Sequence, residues 1–279
     1  MAAKYLDAIM LFGDSITQGS WEMNGVGARL AHIYARKLDV LNRGFSGYNT
    51  DWAFPVFEKV LAKQHEQHHV PRVRLLTIWF GTNDACLPHS PQHVPLARFS
   101  ANLRKMIHTV RSPASPFYSP ITKIILIAPP PVNTIQRGAD LASREPARDL
   151  DRDFETTRQY AKEVLEVGER EGVPVVDVWT QLWEAAGKEE RGLERFLYDG
   201  LHLNEEGYRI AYEELLKIIS EHYPELRHDQ MQYVFPAWGF FIDHSVEDFK
   251  SNTWIQRYQP PATAATVAST DLEKEKEKE

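Results

Sequence analysis

The stretch Leu11-Phe12-Gly13-Asp14-Ser15-Ile16-Thr17-Gln18-Gly19 ends an apolar run that begins at Ala8. Such a run, stopped by a glycine-bracketed and hydroxyl-rich turn, predicts a strand with a serine at its C-terminal end. A serine in that position stands clear of the sheet and offers its own backbone N–H to an oxyanion. Taken alone, the turn is better explained as an ordinary strand end, because Asp and Ser are common turn residues.

Two other glycine-rich motifs are excluded by the letters of this stretch. Thr17 stands where the α/β-hydrolase elbow has its second glycine, and no Gly-Lys pair follows as a phosphate loop requires.

The composition indicates one large domain with an extended C-terminus, since 279 residues with 43% apolar content can fill a sizeable core. Lys and Arg total 32 against 39 for Asp and Glu, a net charge of -7 that argues against a duplex nucleic-acid binder. The single cysteine, Cys86, excludes an intramolecular disulfide. The N-terminus lacks a signal-peptide pattern, and no apolar run approaches the roughly 18 residues of a membrane span, so we expect a cytoplasmic protein.

Strand patterns alternate with helical patterns along the chain. The predicted strands are 8–12, 39–42, 73–80, 121–128 and 173–178, and the predicted helices are 26–38, 51–61, 96–110, 154–171 and 205–222. Asp51 and Asn204 are the expected N-caps of two of these helices. This alternation predicts a parallel, right-handed α/β sandwich whose site lies outside the C-terminal strand ends.

The chain is expected to divide into three parts. Residues 1–224 form the main domain, and residues 225–258 form an aromatic extension that packs on the domain or on a partner subunit. Residues 259–279, rich in Pro, Ala, Thr and Glu-Lys repeats, read as a disordered tail. Residues 132–150 are polar and rich in arginine, and the sequence leaves open whether they form a lid.

A serine nucleophile needs a base, usually a histidine that a carboxylate holds in one tautomer. Asp199 and His202, three residues apart before the last predicted helix, can supply both groups. An isolated Asp-x-x-His is more often a loop acid beside a surface histidine. The tetrahedral intermediate also needs donors for its oxyanion, and the Ser15 N–H, the Gly47 N–H and the Asn83 amide are candidates. Gly44 is a rival to Gly47.

Four blocks occur in order, each beside a predicted strand or helix end. They are Gly13-Asp14-Ser15, residues 42–47, Gly81-Thr82-Asn83-Asp84 and Asp199-Gly200-Leu201-His202. Together they resemble the SGNH, or GDSL-type, hydrolase family from about residue 11 to residue 207. The resemblance implies a three-layer α/β/α sandwich of the flavodoxin-like kind with a five-stranded parallel sheet. It also implies Ser15 as nucleophile, His202 as general base and acid, Asp199 as its orienting carboxylate, and Ser15, Gly47 and Asn83 as the oxyanion hole.

Within the family, three of the blocks are most similar to those of isoamyl acetate-hydrolysing esterases. The similarity implies a serine esterase that acts on short-chain esters of small alcohols without a cofactor. A lysophospholipase, an acyl thioesterase or a carbohydrate deacetylase with the same residues is the alternative, and a catalytically idle binding protein is a remote one. A homodimer formed through the C-terminal extension is a further expectation from the resemblance.

Two other features are not assigned to chemistry. His65 and His69 have the i, i+4 spacing of a zinc pair on a helix, but no glutamate or third ligand accompanies them, so we expect no metal site. Cys86 is expected to be a packing residue near the site.

Overall fold

The computed structural model describes residues 6–251. The chain forms two compact units, divided between His228 and Asp229. The first unit therefore extends four residues past the predicted end at 224. The predicted tail, and residues 252–258 of the predicted extension, lie outside the described residues.

The sheet of the first unit has five parallel strands in the order β2-β1-β3-β4-β5, which is the flavodoxin-like order. The strands are β1 (Asp7–Gly13), β2 (Leu38–Gly44), β3 (Val73–Trp79), β4 (Lys123–Ile127) and β5 (Val175–Val176). Interior strand residues are almost entirely apolar and buried in β1, β3 and β4, as expected for parallel strands covered on both faces. The predicted fold class is confirmed.

Helices cover both faces of this sheet. They are α1 (Ser15–Gly19), α2 (Val26–Ile33), α3 (Thr50–Val60), α4 (Leu96–Arg111), α5 (Thr134–Ala142), α6 (Phe154–Glu171), α7 (Val178–Ala185) and α8 (Glu205–His222). Helices α3, α4 and α6 pack side by side in one layer, and α2, α8 and α7 pack in the other. The Asn204 side chain caps α8 as predicted, accepting hydrogen bonds from Glu206 and Gly207.

The register of the central strands brings three loops to one edge of the sheet. Gly13, the last residue of β1, is paired with Gly44 of β2 and with Trp79 of β3. The loops that follow these three strands therefore begin at the same level, and they carry Ser15, Gly47 and Asn83.

Several local predictions were wrong. β5 has two residues rather than six, because Asp177 caps α7 by accepting a hydrogen bond from the Thr180 N–H and the chain turns into a helix at Val178. The N-cap of α3 is Asn49, not Asp51, and its side chain accepts from Trp52. The segment 132–150 contains α5, a helix that was not predicted because the segment is polar.

The second unit, described for residues 229–251, is short and aromatic. It contains α9 (Phe240–Asp243) and α10 (Val246–Ser251). Within it the Phe240 ring stacks on the His244 ring at 4.1 Å between centroids, and Phe235 packs against Phe249 at 6.3 Å. Aromatic contacts therefore account for part of the packing inside this unit.

Candidate active site

Ser15 is the first residue of α1, directly after β1 and one buried aspartate. The Oδ1 atom of Asp14 accepts a hydrogen bond from the Ile16 N–H at 2.9 Å and so caps α1. Asp14 is fully buried, whereas Ser15 is partly exposed. The cap thus fixes the turn from which the serine hydroxyl projects.

A tight loop before α8 carries Asp199 and His202. The Tyr198 N–H donates to the His202 carbonyl at 3.1 Å, and Leu197 and Leu203 form an antiparallel bridge that closes the loop. Oδ1 of Asp199 accepts hydrogen bonds from the N–H groups of Leu201 (3.0 Å) and His202 (2.8 Å). The aspartate is therefore anchored through one oxygen, and its other oxygen, Oδ2, is left for side chains.

A continuous chain of hydrogen bonds joins the three predicted residues. His202 Nε2 lies 2.9 Å from Ser15 Oγ, and His202 Nδ1 lies 2.8 Å from Asp199 Oδ2. Burial raises the pKa of Asp199, but the hydrogen bonds from His202 and Leu201 outweigh burial and hold it below its ordinary value. The carboxylate is ionised at neutral pH, so it can hold a proton on Nδ1 and leave Nε2 free to accept the serine proton.

The loop after β2 distinguishes Gly47 from Gly44. The Gly44 N–H donates to Asn42 Oδ1 at 2.9 Å, and a Cβ on Gly44 would lie 2.0 Å from the Gln18 nitrogen. Gly47 has φ of +80°, which favours glycine. Within residues 6–251, the N–H groups of Gly47 and Ser15 make no hydrogen bond. Both are thus available as donors, whereas the Gly44 N–H is engaged.

The Asn83 amide is oriented by its neighbours. Its Oδ1 accepts hydrogen bonds from Arg152 Nη2 at 2.9 Å and from Gln92 Nε2 at 3.3 Å. Its Nδ2 donates one hydrogen to the Tyr48 carbonyl at 2.9 Å. An amide nitrogen has two hydrogens, so a second N–H remains for a substrate oxygen.

Two buried acids, Asp14 and Asp84, are the sequence neighbours of Ser15 and Asn83. Burial raises the pKa of Asp14 to about 6 and that of Asp84 to about 7. Oδ1 of Asp84 accepts hydrogen bonds from the Thr50 N–H and hydroxyl, and this ties the start of α3 to the loop after β3. These acids hold the loops, and among the described residues neither carboxyl makes a hydrogen bond to the Ser15 hydroxyl.

Sequence reasoning missed three residues that hold the site residues. Gln92 and Arg152 fix Asn83, and Arg137 contacts Asp199 at 3.0 Å. The only signal was the arginine-rich composition around 132–150, because side chains that reach a site from other loops show no fixed spacing to it.

The remaining expectations concern metals and the cysteine. His65 and His69 are exposed and lie in turns after α3 has ended. The prediction that they lie on a helix was therefore wrong. No group of three or more His, Cys, Asp or Glu residues suited to a metal occurs in the described chain. Cys86 is buried, and burial raises the pKa of its thiol. Between residues 6 and 251, no helix has the length and apolar character to cross a bilayer.

Comparisons with known proteins agree on one family. The model of the GDSL-like lipase/acylhydrolase family matches residues 11–210. The chain is 35% identical over 239 residues to the isoamyl acetate-hydrolyzing esterase 1 homolog of Bos taurus, covering 82% of this chain and 86% of that protein. It is 32% identical over 246 residues to the isoamyl acetate-hydrolyzing esterase of Saccharomyces cerevisiae, covering 85% and 96%.

A solved structure extends the agreement to three dimensions. The lipase/acylhydrolase from Enterococcus faecalis superposes with a TM-score of 0.54 at 26% identity, over 77% of this chain and 96% of that one. The family model covers most of the first unit and contains all four sequence blocks. The chain belongs to the GDSL-like lipase/acylhydrolase family and is a carboxylic-ester hydrolase.

Proposed function

We propose that the chain hydrolyses short-chain esters of small alcohols, such as isoamyl acetate, with Ser15, His202 and Asp199 as its catalytic triad. The observation that carries the proposal is the unbroken hydrogen-bond chain from Ser15 Oγ through the His202 ring to Asp199 Oδ2. The acetate preference is supported by the names of the Bos taurus and Saccharomyces cerevisiae relatives.

In the acylation half-reaction, Ser15 Oγ attacks the ester carbonyl while His202 Nε2 accepts the hydroxyl proton. The carbonyl oxygen gains negative charge, which the N–H groups of Ser15 and Gly47 and the second N–H of Asn83 would stabilise. Collapse of the intermediate breaks the bond to the alcohol, which leaves with the proton from His202.

In the deacylation half-reaction, water attacks the acyl-Ser15 carbonyl and His202 accepts a proton from that water. The second tetrahedral intermediate expels Ser15 Oγ, which takes the proton back from His202, and the carboxylic acid departs. This sequence assigns no step to a metal or organic cofactor.

The test is the hydrolysis of nitrophenyl acetate, butyrate and octanoate by the wild type and by Ser15→Ala. We expect Ser15-dependent turnover that falls as the acyl chain lengthens. A preference for octanoate would favour the lysophospholipase or thioesterase alternative. Faster hydrolysis of acetylated sugars than of isoamyl acetate would favour the carbohydrate deacetylase. Equal turnover by Ser15→Ala would contradict the triad.

The homodimer stays part of this proposal, with the C-terminal extension, residues 225–258, as its interface. Trp238 and Ile242 expose large apolar side chains, 79% and 67% of their surfaces, and such patches often mark contact surfaces. Sedimentation velocity of the full chain over a range of concentrations tests it. A monomer at every concentration would contradict the dimer.

The cytoplasmic location also stays a prediction, and cell fractionation would check it.

A further inference from the structure

Helix α5 is fastened to the loop that carries Asp199 and His202. The Asn133 N–H donates to the Gly200 carbonyl at 2.9 Å, and Gln136 Nε2 donates to the Leu197 carbonyl at 3.0 Å. Gly200 has φ of +81°, and a Cβ there would lie 2.4 Å from the Arg137 nitrogen. The first turn of α5 and the loop are therefore in backbone contact, which fixes where the first α5 side chains point.

One of those side chains is Arg137, which is 5% exposed. Its Nη1 lies 3.0 Å from Asp199 Oδ2, the same oxygen that lies 2.8 Å from His202 Nδ1. Nη1 also lies 3.2 Å from Asp140 Oδ2, and Nε lies 3.7 Å from Asp151 Oδ1. The guanidinium is thus held among three carboxylates, one of which belongs to the proposed triad.

Oδ1 of Asp199 already accepts two backbone N–H groups, so Oδ2 alone must serve both His202 and Arg137. We propose that Arg137 is a positioning residue of the hydrolysis, which holds the Asp199 carboxylate against His202 and offsets part of its negative charge at the imidazole. This inference rests on the proposed function, because it concerns the same triad.

The charge that the imidazole experiences comes from several elements. Asp199 lies on its own loop, and Tyr198 of that loop stacks on the His202 ring at 5.5 Å. The other charged or titratable groups around this loop come from α5, from the segment before α6, from the cap of α1 and from the segment before α2. They are Arg137, Asp140, Arg144, Asp151, Arg152, Asp14 and Glu22. Arg137 is the buried cation bonded directly to the triad carboxylate. Its removal makes the surroundings more negative and favours the protonated imidazole, which cannot act as a base.

The experiment measures kcat/KM against pH for the wild type, Arg137→Gln, Arg137→Lys and the control Arg144→Gln. For Arg137→Gln we expect the acidic limb of the profile to move upward by about one pH unit, the low end of the shift that a nearby charge produces. Arg137→Lys keeps the positive charge but lacks the planar guanidinium. The acidic limb of its profile should therefore lie close to that of the wild type, while its kcat should be lower than that of the wild type.

Arg144→Gln is a matched control because it removes the same charge from a more exposed position. Arg144 Nη2 lies 4.0 Å from Asp199 Oδ2, and its side chain is 38% exposed. Solvent and salt screen such a charge, so we expect a limb shift below about 0.3 pH units. A lower kcat for Arg137→Gln with an unmoved limb, or a limb that moves equally in Arg144→Gln, would overturn the proposal.

A second readout does not depend on turnover. Titration of the His202 imidazole by NMR in the wild type and in Arg137→Gln should show the same upward shift as the pH profile. If the wild type shows no Ser15-dependent hydrolysis, the proposed function fails. If the wild type is active but neither readout shifts in Arg137→Gln, only the role of Arg137 fails. Circular dichroism and thermal unfolding show whether each variant is folded. Should Arg137→Gln unfold, Arg137→Lys becomes the test, and a kcat equal to that of the wild type would overturn the proposal.

Discussion

Asn83 Oδ1 lies 2.9 Å from Nη2 of Arg152, whose side chain is buried, so the Asn83 amide cannot turn over without leaving a guanidinium N–H unpaired. The amide nitrogen is thereby held toward the Tyr48 carbonyl. Asn83→Ala removes this donor. We expect kcat to fall about 100-fold to 1,000-fold with little change in KM, because the proposed bond to the oxyanion would form only in the transition state.

Steady-state kinetics on nitrophenyl acetate measure this effect, and urea unfolding of the same variant serves as its control. A rise in KM with kcat unchanged would show that Asn83 binds the substrate equally in the ground state and in the transition state. That outcome would remove it from the oxyanion hole.

Asp199→Asn tests the orientation of the base. The amide preserves size, and its oxygen can still accept the two backbone N–H groups, but its NH2 group would face His202 Nδ1. The imidazole would then carry its proton on Nε2 and could not accept one from Ser15. We expect kcat to fall by about 10,000-fold, with the fold retained.

The matched control for this substitution is Asp140→Asn. Asp140 also bonds to Arg137, but it has no contact with His202 and its side chain is 28% exposed. We expect less than a tenfold change in kcat. Comparable losses in both variants would indicate that the arginine cluster, rather than the tautomer, governs the rate.

Asp84 makes stability depend on pH. An unfolded aspartate has a pKa of about 3.9, whereas burial raises the pKa of Asp84 to about 7 in the folded chain. Below pH 4 the carboxyl is protonated in both states. As the pH rises toward 7, the unfolded state loses this proton first, so the free energy of unfolding falls.

Asp84→Asn should remove this contribution while keeping an acceptor for Thr50. Between pH 4 and pH 7 we expect its unfolding free energy to fall less than that of the wild type, by about 1–3 kcal/mol. Urea unfolding at several pH values measures the difference. Asp39→Asn, at an exposed site on β2, is the control and should follow the wild type. Parallel curves for Asp84→Asn and the wild type would show that the carboxyl is not a source of the pH dependence.

The main features of the fold could be predicted from sequence because periodicity reports burial directly. The apolar runs of β1 and β3 and the amphipathic pattern of α6 are local, and α6 was predicted with both of its ends. Helix α5 was missed because its buried side chains include Arg137, a residue that a hydropathy pattern counts as exposed.

The residues of the candidate site also differ in whether a local sequence pattern could identify them. Ser15, Asp199 and His202 lie in short motifs whose spacing has a chemical meaning, so the letters alone indicated them. Arg137 and Arg152 reach the site from segments outside the four blocks. Their contacts depend on tertiary placement, which no local pattern encodes.

Covalent trapping shows whether Ser15 Oγ is the nucleophile. The wild type and Ser15→Ala are treated with a fluorophosphonate, their masses and labelled peptides are determined, and the remaining nitrophenyl acetate hydrolysis is followed. We expect one adduct, located on Ser15, with loss of activity in proportion to labelling, and neither adduct nor turnover in Ser15→Ala. An adduct on another residue, or an active and unlabelled Ser15→Ala, would contradict it.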